Sequence, residues 1–347
     1  MASGAPAPSR SDRRTFEVFA PVRVDLAGGT LDLWPLYCLH PGSLTVNSAL
    51  AAGVRIRVIE GGGAPGTIRH SSPDSPPIDL VPDDAGCHIV AAVGFHLCPA
   101  GGLEVEVLAQ PPVGSGLGAS SALAVAVARG CGATMERGAR RPPTAETLRD
   151  LEARVLGVPT GVQDYLPAML GGTLAIHLEP GGERVERLPV PRGWLEERLV
   201  VVYSGISHSS GVVNWQVYRA RVDGDRAVAA ALTGIAAAAV ECRRALLALD
   251  EAAVGEAVAA EWNARRRLAP SVTNPALDGV LAAGSAAGAL AAKACGAGGG
   301  GSVLFWVPPA RRRAVREAVL AAAPAGAFEV AGGLSSRGAI VRRATIH

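Results

Sequence analysis

Val54, Ile56 and Val58 fall on one face of an extended chain with Arg55 and Arg57 on the other, and Leu103, Val105 and Val107 alternate in the same way with Glu104 and Glu106. A two-residue period of this kind predicts half-buried β-strands. Further strands are expected at 16–24, 174–178, 199–203, 303–307 and 339–343. A helical period fills 119–137, 144–156, 225–249, 252–268, 275–292 and 310–322. Strands and helices mix in both halves, which describes two α/β or α+β domains and no more. The stretch 61–77 is rich in Gly, Pro and Ser and reads as an exposed loop, and 180–192 reads as the crossing between two domains. No internal repeat is visible.

Composition narrows the classes. A chain of 347 residues suits two domains of about 100 to 200 residues each. The net charge is +2, only 4% of residues are aromatic, and Arg is interspersed with Asp and Glu, so no basic face for nucleic acid emerges. Cys38, Cys87, Cys98, Cys131, Cys242 and Cys295 form no Cys-x-x-Cys pair. Reduced thiols in a cytoplasmic protein are the simplest account. The group Cys87, His88, His96 and Cys98 fits no standard metal spacing. The opening MASGAPAPSRSDRR is small, polar and basic with no apolar stretch behind it, which predicts a disordered tail over 1–15 and no secretory signal. Apolar runs such as 227–240 are Ala-rich and interrupted, short of the roughly 20 residues a bilayer requires. A soluble protein is expected.

The segment 111–128, PPVGSGLGASSALAVAVA, carries the strongest chemical signal. Gly114, Gly116 and Gly118 permit close backbone approach to a ligand, and a helix opening near Ser120 presents free N–H groups and a positive dipole end to a phosphate. It lacks the Gly-Lys-Ser/Thr of a P-loop, the dinucleotide spacing and the Gly-x-Ser-x-Gly elbow. Ser120 and Ser121 are polar groups at a helix start otherwise filled with Ala and Val. A hydroxyl there can hold Mg²⁺ or a phosphate oxygen, and it can equally cap the helix.

Pro112 to Ala122 resembles the central motif of the kinases named for galactokinase, homoserine kinase, mevalonate kinase and phosphomevalonate kinase, the GHMP kinases. APVRVDLAGGTLD, 20–32, resembles their first motif in its sugar-kinase form, and KACGAGGGGS, 293–302, resembles the third. The three stand in the right order from about residue 16 onward. The resemblance implies an α+β fold of two domains, an N-terminal ribosomal-protein-S5-like α/β domain at 16–190 that binds ATP and a C-terminal ferredoxin-like α+β domain at 191–347. The active site would lie between them. It also implies ATP and Mg²⁺ as cofactors, a small-molecule sugar or sugar phosphate as substrate, and a monomer or homodimer with no nucleic-acid or membrane partner.

Site residues follow from the same resemblance. Pro112, Gly114, Gly116, Leu117, Gly118, Ala119, Ser120 and Ser121 form the nucleotide cradle. Ser121 and Glu152 are the metal ligands, Glu152 standing twelve residues before Asp164; a solvated helix charge is the alternative for Glu152. Asp164, in GVQDYLPAMLGG, resembles the catalytic base of fucokinases and heptose phosphate kinases, with a turn-capping Asp as the alternative. The family commonly follows this Asp with Gln, whereas Tyr165 follows here. Arg23 aligns with the basic residue beside the catalytic Asp, and Gly28, Gly29, Thr30 and Asp32 align with the sugar-binding turn. Ser207 and His208, in YSGISHSSG, are expected at sugar hydroxyls or a distal phosphate, although serine capping of a strand-to-helix turn explains them equally. Lys293, the only lysine in the chain, sits against a second glycine loop and is read as a phosphate contact, with placement at a helix C-terminus as the alternative. Gly298 and Gly299 of that loop are read as shaping the acceptor site.

The leading expectation is an ATP- and Mg²⁺-dependent kinase that phosphorylates the anomeric hydroxyl of a heptose 7-phosphate-like or fucose-like sugar. A mevalonate-pathway kinase and a non-catalytic nucleotide- or sugar-binding sensor are the other readings.

Overall fold

A computed structural model describes residues 13–135, 142–207, 210–330 and 333–345. The described strands are β1 (Thr15–Ala27), β2 (Leu44–Pro65), β3 (Ile68–Ser72), β4 (Ser75–Leu80), β5 (Gly101–Ala109), β6 (Thr173–Glu179), β7 (Gly182–Arg187), β8 (Leu199–Tyr203), β9 (Ala291–Ala294), β10 (Ser302–Trp306), β11 (Phe328–Glu329) and β12 (Ile340–Ala344). The α-helices are α1 (Ile89–Leu97), α2 (Ala119–Thr134), α3 (Ala145–Leu156), α4 (Tyr165–Leu170), α5 (Arg192–Glu196), α6 (Ser210–Val222), α7 (Arg226–Ala248), α8 (Glu251–Arg265), α9 (Pro275–Ala286) and α10 (Arg312–Ala322).

The strands form two sheets. Eight make the first, in the order β12-β1-β2-β5-β3-β4 with β6 and β7 branching from β2. The alternation of Ile56 and Val58 with arginines becomes a register here: Ile56 faces Val107 and Val58 faces Val105 across an antiparallel ladder. Ile56 and Val58 are wholly buried, each worth about 1.5–3 kcal/mol relative to exposure. Helix α2 packs over β1 and β2. Its Gly130 permits this, since a Cβ there would stand 2.4 Å from Val58 Cγ2. The second sheet has the order β11-β8-β10-β9, entirely antiparallel. The paired α9 and α10 accompany this sheet, and Gly284 on α9 lies flat on Phe305. Helices α7 and α8 pack on each other and reach back to β1. No helix among the described residues is long and apolar enough to cross a membrane.

Several expectations need correction. Of the tail expected over 1–15, residues 1–12 lie outside the described residues, while Thr15 is buried in β1 and Arg14 pairs with Glu60. The exposed loop expected at 61–77 folds into the end of β2, then β3 and the start of β4; its Gly, Pro and Ser residues occupy a ribbon whose outer strand is mostly exposed. The crossing expected at 180–192 contains β7, which completes a hairpin with β6 in the first sheet. The helix expected to run to 292 stops at Ala286, and β9 follows. Last, β12 leaves the C-terminal half and pairs Ile340–Ala344 with Phe19–Thr15 of β1, so the first sheet draws on both ends of the chain.

Candidate active site

The start of α2 lies where two glycine loops meet. Gly118 takes a left-handed φ of 76° as the N-cap of α2, and Gly116 has φ 72°. A Cβ on Gly116 would stand 2.7 Å from the Cys295 carbonyl oxygen, and one on Gly301 2.8 Å from the Ser115 carbonyl carbon. The Ser302 N–H donates to the Ser115 carbonyl at 2.7 Å. The loops 111–118 and 295–302 therefore touch along their backbones, an approach that a side chain at Gly116 or Gly301 would block. The first-turn N–H groups of α2 have no intrahelical acceptor, and with the helix dipole they favour an anion. Neither Ser120 nor Ser121 caps the helix. Ser120 is exposed and Ser121 is buried. Pro112 accepts the Ser115 N–H, Leu117 is buried beneath the loop, and Ala119 opens the helix.

Asp164 stands at the N-cap position of α4 but makes no capping bond. Arg23 holds it instead, with Nε 2.8 Å and Nη2 2.6 Å from the same oxygen, Oδ1. Both bonds fall on Oδ1, so Oδ2 is not engaged by Arg23. The Arg23 side chain is 3% exposed and that of Asp164 27%, so the pair is buried at its cation and open at its carboxylate. Arg23 also fixes the first loop, donating from Nη1 to the Gly116 carbonyl and from its backbone N–H to Leu117 O. Burial works against its charge, but Asp164 and Asp25 beside it raise its pKa above the ordinary arginine value.

Glu152 shares a helical stripe with Ala145 and Leu148, so α3 turns its carboxylate inward. Ser121 Oγ donates to Glu152 Oε2 at 2.9 Å, and the Tyr165 hydroxyl donates to the same oxygen. Glu152 is thus no solvated helix charge. Burial raises its pKa, opposed by hydrogen bonds from Ser120, Tyr165 and Ser121. Among the described residues no Lys, Arg or His pairs with it.

Asp32 is also buried, accepting the Gln163 N–H on Oδ2 at 3.0 Å. Its pKa is raised to about 6 by burial, with Asp164 adding repulsion and the Gln163 N–H opposing. Gly28 and Gly29 are buried in the turn before it, and Thr30 holds a left-handed φ of 75°.

Three sequence-based expectations are placed differently. Lys293 is not a phosphate contact and not at a helix end. It is wholly buried in β9, its Nζ donating to Asp25 Oδ2 at 2.8 Å and lying 3.0 Å from Glu261 Oε2, so its charge is already spent inside the protein. Ser207 Oγ donates to the Val113 carbonyl of the first loop, while His208 lies outside the described residues. Gly298 and Gly299 fasten to the segment after α8: the Gly299 N–H bonds Val272 O, and Asn274 Nδ2 bonds Gly299 O. It is Gly296 and Gly301 that face the first loop.

Sequence reasoning missed Glu261 and Arg265. Both are buried on α8, where Arg265 clasps Glu261 Oε1 through Nε and Nη2 at 2.9 and 2.6 Å. Arg265 further donates to the Gly29 carbonyl, the Thr30 hydroxyl and the Gly296 carbonyl. Their i,i+4 spacing was visible, but that spacing normally marks an exposed helix pair.

Residues 87–172 match the family of GHMP kinases N terminal domains, and residues 242–325 match the GHMP kinases C terminal family. The chain belongs to the GHMP kinases. As a GHMP kinase it is an ATP-dependent small-molecule kinase. It is 24% identical over 316 residues to a D-glycero-alpha-D-manno-heptose 7-phosphate kinase of Campylobacter jejuni, covering 86% of this chain and 91% of that protein. It is 26% identical over 291 residues, 77% of the chain, to the Arabidopsis thaliana bifunctional fucokinase/GDP-fucose pyrophosphorylase, of which it spans only 27%. The fold matches Lactococcus lactis galactokinase complexed with galactose, with a TM-score of 0.73 at 19% identity over 94% of this chain and 95% of that one. It also matches a D-glycero-D-manno-heptose 1-phosphate kinase from Bacteriodes thetaiotaomicron, with a TM-score of 0.69 at 20% identity over 94% and 98%.

Proposed function

We propose that this GHMP kinase is a sugar kinase, which transfers the γ-phosphate of ATP to the anomeric hydroxyl of a sugar or sugar phosphate of the heptose or fucose type. The observation that carries the reading is the Arg23–Asp164 pair: a partly exposed carboxylate, anchored by a buried guanidinium that also holds the nucleotide loop. The substrate class rests on the GGTLD turn with its buried Asp32 and on the heptose and fucose activities named for the two curated relatives. The loop 111–118 and the first turn of α2 take the phosphates of ATP. Asp164 accepts the proton of the attacking hydroxyl through Oδ2 while Arg23 keeps the carboxylate in place, the new O–P bond forms, and the bond to ADP breaks.

Ser121 and Glu152 fit Mg²⁺: a hydroxyl and a buried carboxylate with no cation beside it, next to the phosphate cradle, are hard oxygen donors for an ion that keeps water and phosphate in its remaining positions. When bound, the ion offsets the negative charge of the phosphates. We assign ATP binding to 16–190, which also carries Asp164 and the acceptor turn with Asp32, while 191–347 supplies the second glycine loop and contributes β12 to the first sheet.

The test is ADP release by purified protein with ATP and Mg²⁺ against heptose 7-phosphate, fucose, galactose and mevalonate, for wild type and Asp164→Asn. Turnover on a sugar, reduced about 10² to 10⁴-fold in the variant with ATP binding retained, is the expected result. Turnover confined to mevalonate would replace the sugar by a mevalonate-pathway substrate. ATP binding without turnover on any acceptor would leave a sensor.

A further inference from the structure

Asp164 is the exposed end of a longer chain of charges. Behind it stand Arg23, then Asp25, Lys293, Glu261 and Arg265, drawn from β1, β9 and α8, every one of them no more than 3% exposed. The links are direct. Arg23 Nη1 lies 3.9 Å from Asp25 Oδ1, Lys293 Nζ lies 2.8 Å from Asp25 Oδ2 and 3.0 Å from Glu261 Oε2, and Arg265 clasps Glu261 Oε1. Three cations face three carboxylates. Cys242 and Cys295 beside them are neutral thiols, each pushed up to about 12 by burial. Both far branches of the chain end on the turn before Asp32 and the second glycine loop: Asp25 Oδ1 accepts the Gly296 N–H, and Arg265 holds the carbonyls of Gly29 and Gly296 with the Thr30 hydroxyl.

Buried ion pairs are poor sources of stability, because desolvation offsets most of the attraction. A network this deep, touching the acceptor turn, the second glycine loop and the partner of Asp164, has another use. We propose that Lys293 is a positioning residue for the phosphoryl-transfer site. By neutralising Asp25 from behind, it leaves the Arg23 guanidinium free to commit both Nε and Nη2 to Asp164. This deepens the sugar-kinase reading and rests on Asp164 as the base. Without the ammonium, Asp25 becomes an uncompensated buried carboxylate, and the nearest cation able to answer it is Arg23. The guanidinium is then drawn along β1 toward Asp25, and Asp164 loses its fixed geometry.

The inference specifies a rescue. Lys293→Met removes the ammonium at similar length, and Asp25→Asn in the same chain removes the pull on Arg23 while its amide oxygen still accepts the Gly296 N–H. Glu261 remains bound by Arg265 in both. The first readout needs no acceptor: the Nε–H resonance of Arg23 in a nitrogen–proton correlation spectrum of the ATP-free protein, identified by its loss in Arg23→Lys. The second is kcat on whichever sugar the ADP-release assay reveals.

Lys293→Met is expected to shift the Nε–H signal and speed its exchange with water, and to lower kcat by about 10²-fold with the ATP dissociation constant unchanged. The double variant Asp25→Asn/Lys293→Met is expected to regain the wild-type signal and most of kcat. Should Lys293→Met fail to fold, the double variant alone decides, by keeping or losing the signal. A signal undisturbed by Lys293→Met, or a double variant as impaired as the single one, overturns the proposal and leaves Lys293 a packing residue. If no sugar is ever turned over, the Arg23 signal still judges Lys293 while the sugar-kinase reading fails separately.

Discussion

Asp32 and Asp164 are two carboxylates set apart by their surroundings. Asp164 has Arg23 against it, while Asp32 has no cation bound to it among the described residues and is buried, which raises its pKa to about 6 against the pull of backbone N–H groups such as that of Gln163. A carboxyl whose pKa is higher in the folded protein than in the unfolded chain, where it is about 3.9, favours folding below the unfolded value, and that contribution disappears as pH rises through the folded one. Stability attributable to Asp32 therefore falls between about pH 4 and pH 6. Asp32→Asn keeps an acceptor for the Gln163 N–H and removes the buried charge. Urea unfolding should show the variant about 1–3 kcal/mol more stable than wild type at pH 8 and equal to it near pH 4. Equal stability at both pH values would mean that Asp32 carries no penalty. A residue that costs stability at neutral pH fits a site shaped for binding a ligand rather than for folding alone.

The two glycine loops act as one element, since each supplies the space the other fills. Gly116→Ala puts a methyl group 2.7 Å from the Cys295 carbonyl oxygen at a φ of 72°. The backbone strain alone is about 1–2 kcal/mol, and the clash adds to it. The variant should unfold at lower urea and bind ATP more weakly; an unchanged midpoint with unchanged ATP affinity would show that the loops separate without cost. The loops were legible in the sequence because each motif is contiguous, and so were the strands whose faces alternate. What was not legible depends on partners far along the chain. Lys293 lies in GALAAKACG, where alanines suit a helix as well as a strand, and pairing with β10 decides for β9. Nothing in the sequence marks Glu261 and Arg265 as buried; that follows only from α8 packing against β1 and β9. Glu152 was found by its spacing from Asp164, but its burial follows from the tertiary packing of α3. Ribbon β3–β4 was hidden by loop-like composition on a strand that is mostly exposed.

At the scale of the molecule, the sequence halves are not independent bodies. Strand β12 pairs with β1, and one hydrophobic core unites Val18, Ile56 and Val105 with Ala239, Cys242, Leu246 and Trp306. A fragment of residues 16–190 lacks that strand and those side chains. It should show no cooperative unfolding by circular dichroism and poor dispersion in a proton spectrum, whereas a sharp transition would mean that the first sheet closes without its C-terminal strand. The buried charge chain crosses the same boundary, from β1 to β9 and α8. With every other basic charge carried by Arg or His, the single ε-amine of this chain is sealed at 0% exposure. An acylating reagent directed at side-chain amines therefore finds no target in the folded protein until β9 parts from β1 and α8. The rate at which Lys293 is modified becomes a clock for that opening, written into the molecule by the absence of any other lysine.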